Sequence, residues 1–467
     1  MKQVRKLGGK IRNIVKLNKN LFLLILFILY SMNYMRCKSE EKRILPNVIL
    51  IVVDTLRADH LSCYGYGRKT SPNIDNFSKD SILFKNAISP SAWTTPAVGS
   101  IFTSIYPTII GYIDKPVILD ESFLTLAETL KSNGYFTGGI ISHFFIAKRL
   151  GFGQGFDYYN QENNKGHDHI SSPSLTELAN SFLTEKKDEK FFLFLHYFDP
   201  HYNYYMHKDF EYYSEYNGWL KSGQEISFQR GNREKLNEDD KKFLNALYDS
   251  EISFTDKYIG DVFNKLKELE LYDDALIILT ADHGEELGEK ADHWIGHKKK
   301  LTSAIIHVPL IIKLPDNNKK LKIEEYVGTI DIMPTIVNYL NLKDPDEYYY
   351  DGEIIDLNRG KRIKNNPIFS ETFNGAEDIS VTWNEFKLIF KINKKDFEFY
   401  DLSNDPYENS NLKTAIYKRK KFFTYKNMLV EWWAEIVSRS DNLNLQKKYP
   451  EYSPEAVEKL KAMGYIK

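Results

Sequence analysis

The sequence predicts an α/β fold: a large, mainly parallel sheet flanked by helices, then a smaller antiparallel sheet towards the C-terminus. Three observations carry this. Continuous apolar runs rich in β-branched and aromatic residues occupy Asn47–Val53, Lys190–Leu195 and Ala275–Thr280. Runs of that length without polar alternation read as strands buried on both faces, hence central and parallel. Helical periodicity fills the intervals between them, the alternation that builds a parallel sheet. Beyond about residue 350 the pattern shifts to short strand-like segments separated by turns.

Along the chain, Pro46 closes a polar linker over residues 38–46, and Asn47–Val53 is the first strand. Ser122–Asn133 has helical apolar spacing and stops at Gly134. Asp239–Glu270 is a long amphipathic stretch, with a break or kink expected near Gly260. Pro309–Lys313 is a further strand candidate. Ile379–Trp383, Phe386–Lys391 and Phe397–Asp401 form the small antiparallel sheet, with a closing helix or two after it. Tyr202–Leu236 is polar, aromatic and poorly periodic, and reads as a long surface insertion, a candidate lid.

The 467 residues carry a net charge of -1, unevenly placed: residues 1–20 hold seven basic residues and no acidic ones. The body is mildly acidic, which gives no electrostatic reason to expect a nucleic-acid partner. The apolar run Leu21–Tyr30 follows the basic head, so residues 1–37 read as a signal peptide or membrane anchor. The alternative is a buried helix. The run is short for a full span, which needs about 20 apolar residues. Positive charge stays inside, which places the body outside the cytoplasm, in the cell envelope. Two cysteines exclude a disulfide framework. Cys37 stands where a lipoprotein would be acylated, although Tyr34-Met35-Arg36 fits that signal poorly; Cys63 reads as packing.

In an open α/β sheet, ligands gather at the carboxyl ends of the strands. Here three buried strands end in ligand-type residues: Asp54; His196 with Asp199-Pro-His201; and Asp282-His283-Gly284. One such Asp is weak evidence, because it often caps a helix; three clusters at equivalent ends point to a metal or anion site. Carboxylates suit hard divalent cations, and imidazole suits zinc or manganese. Thr94 and Thr95 precede Pro96, a residue favoured in the first helical turn. A hydroxyl there is either a nucleophile beside an anion-attracting helix N-terminus or a plain N-cap.

Several ordered blocks resemble the sulfatase family of the alkaline phosphatase superfamily. Pro46–Tyr66 with Thr70–Asp75 is similar to its N-terminal signature, and Thr94–Pro107 to its active-site helix. His196–His201, Thr280–Glu286 and Gly296–Leu301 with Val308–Ile312 match further blocks. Phe386–Ile389, Tyr400–Asn409 and Leu460–Tyr465 resemble the C-terminal subdomain. The resemblance implies an alkaline-phosphatase-like fold, with a catalytic domain over 47–345 and a C-terminal subdomain over 346–467. It implies that Asp54, Asp282 and His283 hold a divalent cation together with Thr94 at the nucleophile position. Calcium is the metal the family's sulfatases favour, and manganese or zinc is the alternative. His297 would protonate the leaving oxygen, and His196 and His201 would contact the ester group. Asp249, Glu251 and Asp256 match a family block and read as structural; His143 is a weak candidate for a further oxyanion contact.

The departures set the chemistry. The family's Cys/Ser-x-Pro-x-Arg, converted to formylglycine, is here Thr94-Thr-Pro96-Ala-Val98. Threonine cannot become that aldehyde, and Val98 carries no charge. Thr302-Ser303 replaces a Tyr-Glu pair. The resemblance therefore implies a metal-dependent ester hydrolase cleaving or transferring phosphate-type esters, phosphodiester or phosphonate, with Thr94 as nucleophile. The alternatives are a sulfuric ester hydrolase acting without formylglycine and a non-catalytic envelope binding protein. The substrate class implied is a small-molecule, glycan or lipid ester, met at a membrane through the N-terminus.

Overall fold

The computed structural model describes residues 45–450, apart from 113–116, 165–168, 317–318, 344–347, 373–377, 416–417, 444 and 446. The expected signal peptide or anchor, Cys37, most of the linker and the Leu460–Tyr465 block lie outside the described residues. Among those described, no helix is long and apolar enough to cross a membrane. The described residues from Pro46 onward form one compact unit.

The main sheet has eight strands: β1 (Val48–Val53), β2 (Ile82–Ile88), β3 (Phe136–Ile141), β4 (Tyr158–Asn160), β5 (Phe191–Tyr197), β6 (Leu276–Ala281), β7 (His307–Lys313) and β8 (Leu321–Gly328). Their order is β8-β2-β7-β6-β1-β5-β3-β4. The run from β6 to β4 is parallel throughout. β7 runs antiparallel to both its neighbours, so the sheet is mixed but mostly parallel. The three apolar runs of the sequence are β1, β5 and β6, side by side at the centre, every residue of them buried.

Three strands carry weaker sequence signals. β2 is interrupted by Lys85 and Asn86, and β8 alternates as a half-exposed edge does. β3 contains Gly138 and Gly139, which depress strand propensity. The rings of Phe182 and Tyr159 pack where side chains at those two positions would stand.

The expected helix at Ser122 begins at Leu126, capped by a reciprocal Thr125–Glu128 box, and ends at Ser132. The long amphipathic stretch is one helix, Glu238–Glu268, without the expected break at Gly260. Gly260 is there for room: Asn73 occupies the space a Cβ would take. On the same helix Asp249 accepts hydrogen bonds from Tyr66 and Arg68, and Asp256 accepts the backbone N–H groups of Asn73 and Ile74. Both fix the loop after β1 to the helix.

The second sheet is an antiparallel meander of β9 (Ile368–Glu371), β10 (Asp378–Trp383), β11 (Phe386–Lys391) and β12 (Asp396–Asp401). A closing helix, Arg419–Leu443, stacks Trp432 on Phe369 at 4.4 Å. The Tyr202–Leu236 segment is less superficial than its composition suggests. Tyr202 and Tyr204 are buried, and Tyr205 and His207 hydrogen-bond to Glu251 of the long helix.

Candidate functional site

Strand register brings the site together. Val52 of β1 lies beside His196 of β5, and Val53 beside Ala281 of β6. Asp54 and Asp282 are thus the first residues past two adjacent strands, and His196 is the penultimate residue of the third, at the carboxyl edge where open α/β sheets bind ligands. One ligand atom each from Asp54, His196 and Asp282 lies within 4.8 Å of the others, all three residues fully buried. His283 Nε2 is 3.8 Å from Asp54 Oδ1 and 3.6 Å from Asp282 Oδ2. Its Nδ1 lies 3.0 Å from the Gly284 carbonyl, to which it donates, leaving the Nε2 lone pair facing the carboxylates.

The turn that delivers Asp54 is strained. Thr55, a β-branched residue, sits at φ 56°, a conformation costly for its type. Asp282 Oδ1 accepts its N–H at 3.2 Å, and Tyr248 donates to its carbonyl at 2.6 Å.

Thr94 is the first residue of the fully buried helix Thr94–Thr103. Its Oγ1 is 3.4 Å from Asp54 Oδ2 and 3.3 Å from His283 Nε2. The neighbouring Thr95 hydroxyl is spent on the Phe145 carbonyl at 3.0 Å, which singles out Thr94 as the hydroxyl at the cluster.

A histidine group closes one side. His297 is buried, its ring centroid 4.3 Å from His283 and 5.0 Å from His201. Its Nδ1 stands 2.8 Å from Glu285 Oε1. A short ladder pairing Glu286 with Gly296 holds the loop that carries it. His143 lies 6.1 Å from His196 and 5.9 Å from His201, ring to ring, within an aromatic wall with Phe198.

The sulfatase family profile matches residues 46–342, and that of the N-sulphoglucosamine sulphohydrolase C-terminal region matches 292–435. The chain belongs to the sulfatase family. Among its relatives is the ulvan-active sulfatase of Formosa agariphila, 26% identical over 68% of this chain and 68% of that one. Another is the multifunctional alkaline phosphatase superfamily protein PehA of Trinickia caryophylli, 26% identical over 64% of this chain and 74% of that one. The phosphonate monoester hydrolase of Agrobacterium radiobacter shares the fold at a TM-score of 0.68 and 20% identity, over 84% of this chain and 96% of that one. This sulfatase-family chain is accordingly a hydrolase of ester bonds.

The electrostatics of the site suit a cation. Burial, then the neighbouring Asp282 and Glu285, push Asp54 well above the ordinary carboxylate range. For Asp282 burial raises the pKa, but His283 and His196 outweigh it and hold the group low. Asp54 Oδ1, Asp282 Oδ2 and both ring nitrogens of His196 are buried with no hydrogen-bond partner. Orphaned buried acceptors are costly. A divalent cation would take one oxygen from each carboxylate and the lone pair of one His196 nitrogen, so the donor set fits the metal that superfamily members use.

The structure thus brings together every expected site residue. It places His196 among the carboxylates, where the sequence had suggested an ester contact. Glu285 and Arg230 are the members sequence reasoning passed over. Glu285 was legible only as the residue after Asp282-His283-Gly284. Burial, only partly offset by Arg230, His283, the neighbouring Tyr204 and Arg57, pushes it up to about 7. Arg230 comes from the patternless insertion, which gave no signal.

Proposed function

We propose that this protein is a metal-dependent hydrolase or transferase of phosphate-type esters, with Thr94 as nucleophile. The observation that carries the reading is the Thr94 hydroxyl within 3.3–3.4 Å of His283 and Asp54, in a position where no aldehyde can form. Asp54, Asp282, His196 and His283 would hold the cation. Two imidazoles beside two carboxylates favour manganese or zinc over calcium, which prefers oxygen donors throughout. A cation there neutralises charge on the ester oxygens and makes the hydroxyl more acidic.

With its proton already lost to solvent, as a bound cation would favour, Thr94 Oγ1 attacks phosphorus, a new O–P bond forms, and the ester O–P bond opposite it breaks. The departing oxygen takes a proton from His297, whose Nδ1 is held by Glu285. By itself His297 is kept well below the usual histidine range by burial, then by His283 and Arg230. An anionic ester beside it raises its proton affinity and so makes it an acid on binding. Water then attacks the phospho-threonine, His297 takes its proton, and Thr94 is regenerated.

The test is turnover of bis-p-nitrophenyl phosphate against p-nitrophenyl sulfate, with and without added manganese, in the parent and in Thr94→Ala. Metal-dependent, Thr94-dependent phosphodiester cleavage supports the reading. Sulfate release exceeding phosphodiester cleavage supports the second reading, a sulfuric ester hydrolase without formylglycine, which the sulfatase names of the relatives favour. We place the enzyme in the cell envelope, anchored through residues 1–37; fractionation of the full chain tests that.

A further inference from the structure

We propose that Glu408, from the C-terminal subdomain, is a positioning residue for the reaction: it grips the loop that carries His297 and so keeps that acid aligned with the departing oxygen. The inference rests on the acid role given to His297 above. Lys290 and Ser303 stand on either side of His297 in the chain, and the same turn holds both. The Ser303 N–H donates to Glu408 Oε2 at 3.0 Å, and the Ser303 hydroxyl donates to Glu408 Oε1 at 2.9 Å. Lys290 Nζ donates to the Glu408 carbonyl at 3.0 Å and to the Tyr407 carbonyl. One residue of the C-terminal subdomain thus closes the His297 loop at both ends.

Glu408 is itself fixed from behind. Lys387 of β11 donates to its Oε1 at 2.7 Å, and the two side chains are each 1% exposed. Its backbone sits at φ 56°, a conformation costly for a residue with a side chain. Its N–H closes the turn on the Asp405 carbonyl at 3.0 Å. A buried ion pair adds little net stability over apolar residues of equal volume. A buried pair on a strained turn, with both carboxylate oxygens spent on Ser303, is therefore better explained by the geometry it enforces. From Ser303 that geometry runs to the site by two routes. Thr302 and Lys300 donate to Glu286, which pairs through the short ladder with Gly296, the residue before His297. Ile305 accepts the Gly284 N–H at 2.6 Å, next to Glu285, which holds His297 Nδ1. Seating Ser303 thus registers both members of the His297–Glu285 pair.

The experiment compares kcat and KM of the full-chain, manganese-loaded protein on diphenyl phosphate and bis-p-nitrophenyl phosphate, phenol being the more basic leaving group. The variants are Glu408→Gln, Ser303→Ala and His297→Asn, with each of the first two also combined with the third. A displacement of about 1 Å costs a positioned group on the order of a hundredfold. A loosened loop should therefore lose roughly tenfold in kcat on diphenyl phosphate, and less than about twofold in KM or on the nitrophenyl ester. Added to His297→Asn, neither change should slow diphenyl phosphate further. Hydrogen exchange of the metal-free variants should quicken over residues 290–303 and stay unchanged in the central strands. Where Glu408→Gln fails to fold, Ser303→Ala decides alone, because it leaves the Lys387 pair intact. Equal losses on the two esters, losses that add to those of His297→Asn, or unchanged exchange over 290–303 overturns the proposal. A His297→Asn protein that slows both esters alike sinks the acid reading and this inference together. A selective His297→Asn beside unselective Glu408 and Ser303 variants sinks this inference alone.

Discussion

His196 Nε2 and Asp54 Oδ2 face each other across 3.8 Å, from neighbouring parallel strands, with no hydrogen bond to either nitrogen of the ring. A histidine in that position serves a cation better than an ester. His196→Ala should therefore lower affinity for manganese or zinc by at least about 10–100-fold, the scale seen for supporting groups around metal sites. Calorimetric metal titration measures it. If metal binding is unchanged and only KM for the ester rises, His196 contacts substrate instead.

His297 and Glu285 give a prediction about leaving groups. Protonating the departing oxygen matters most when that oxygen is basic. His297→Asn should slow esters of alkyl alcohols by about 10²–10⁴-fold, and p-nitrophenyl esters far less. Rates for a matched alkyl and aryl pair decide it; equal losses for the two would assign His297 to binding or structure.

Gly260 tests the packing argument. In an exposed helix, Gly→Ala stabilises by about 1 kcal/mol. Here the added methyl meets Asn73, so Gly260→Ala should destabilise by about 1–3 kcal/mol, the range for overpacked sites. Denaturant melts give the sign directly.

Glu371 ties the second sheet to the short helix Pro107–Ile110 and carries a pH signature. It is buried and accepts hydrogen bonds from the Thr108 N–H, at 3.1 Å, and from the Thr108 hydroxyl. Burial pushes it up to about 7, against the Thr108 bonds that lower it, with Asp351 adding to the rise. An unfolded Glu titrates near about 4.3. Its contribution to stability is therefore full below that value and is lost as pH rises through 7. Glu371→Gln should flatten the fall in stability between those two values by about 3–4 kcal/mol, read from melts across the pH series. An unchanged slope would refute the assignment.

The parts of the fold legible in the sequence were those whose physics is local and one-dimensional. β1, β5 and β6 announce themselves because burial on both faces demands unbroken apolar residues, and the three chemical clusters follow because each sits at a strand end. The edge strand β8 alternates like many exposed segments, and the glycines of β3 make sense only against Phe182 and Tyr159. The kink expected at Gly260 failed for the same reason: a distant residue, Asn73, set the requirement. In the site, Asp54, Thr94, Asp282 and His283 could be named from motif order. The position of His196 depends on strand register, and Arg230 on the path of an insertion, and neither is encoded in spacing.

The most direct test of the account is intact-mass analysis of the full-chain protein loaded with manganese and quenched during turnover of bis-p-nitrophenyl phosphate, followed by peptide mapping. The account predicts a p-nitrophenylphosphoryl adduct on the peptide carrying Thr94, absent in Thr94→Ala along with turnover. Sustained metal-dependent cleavage in Thr94→Ala would contradict it.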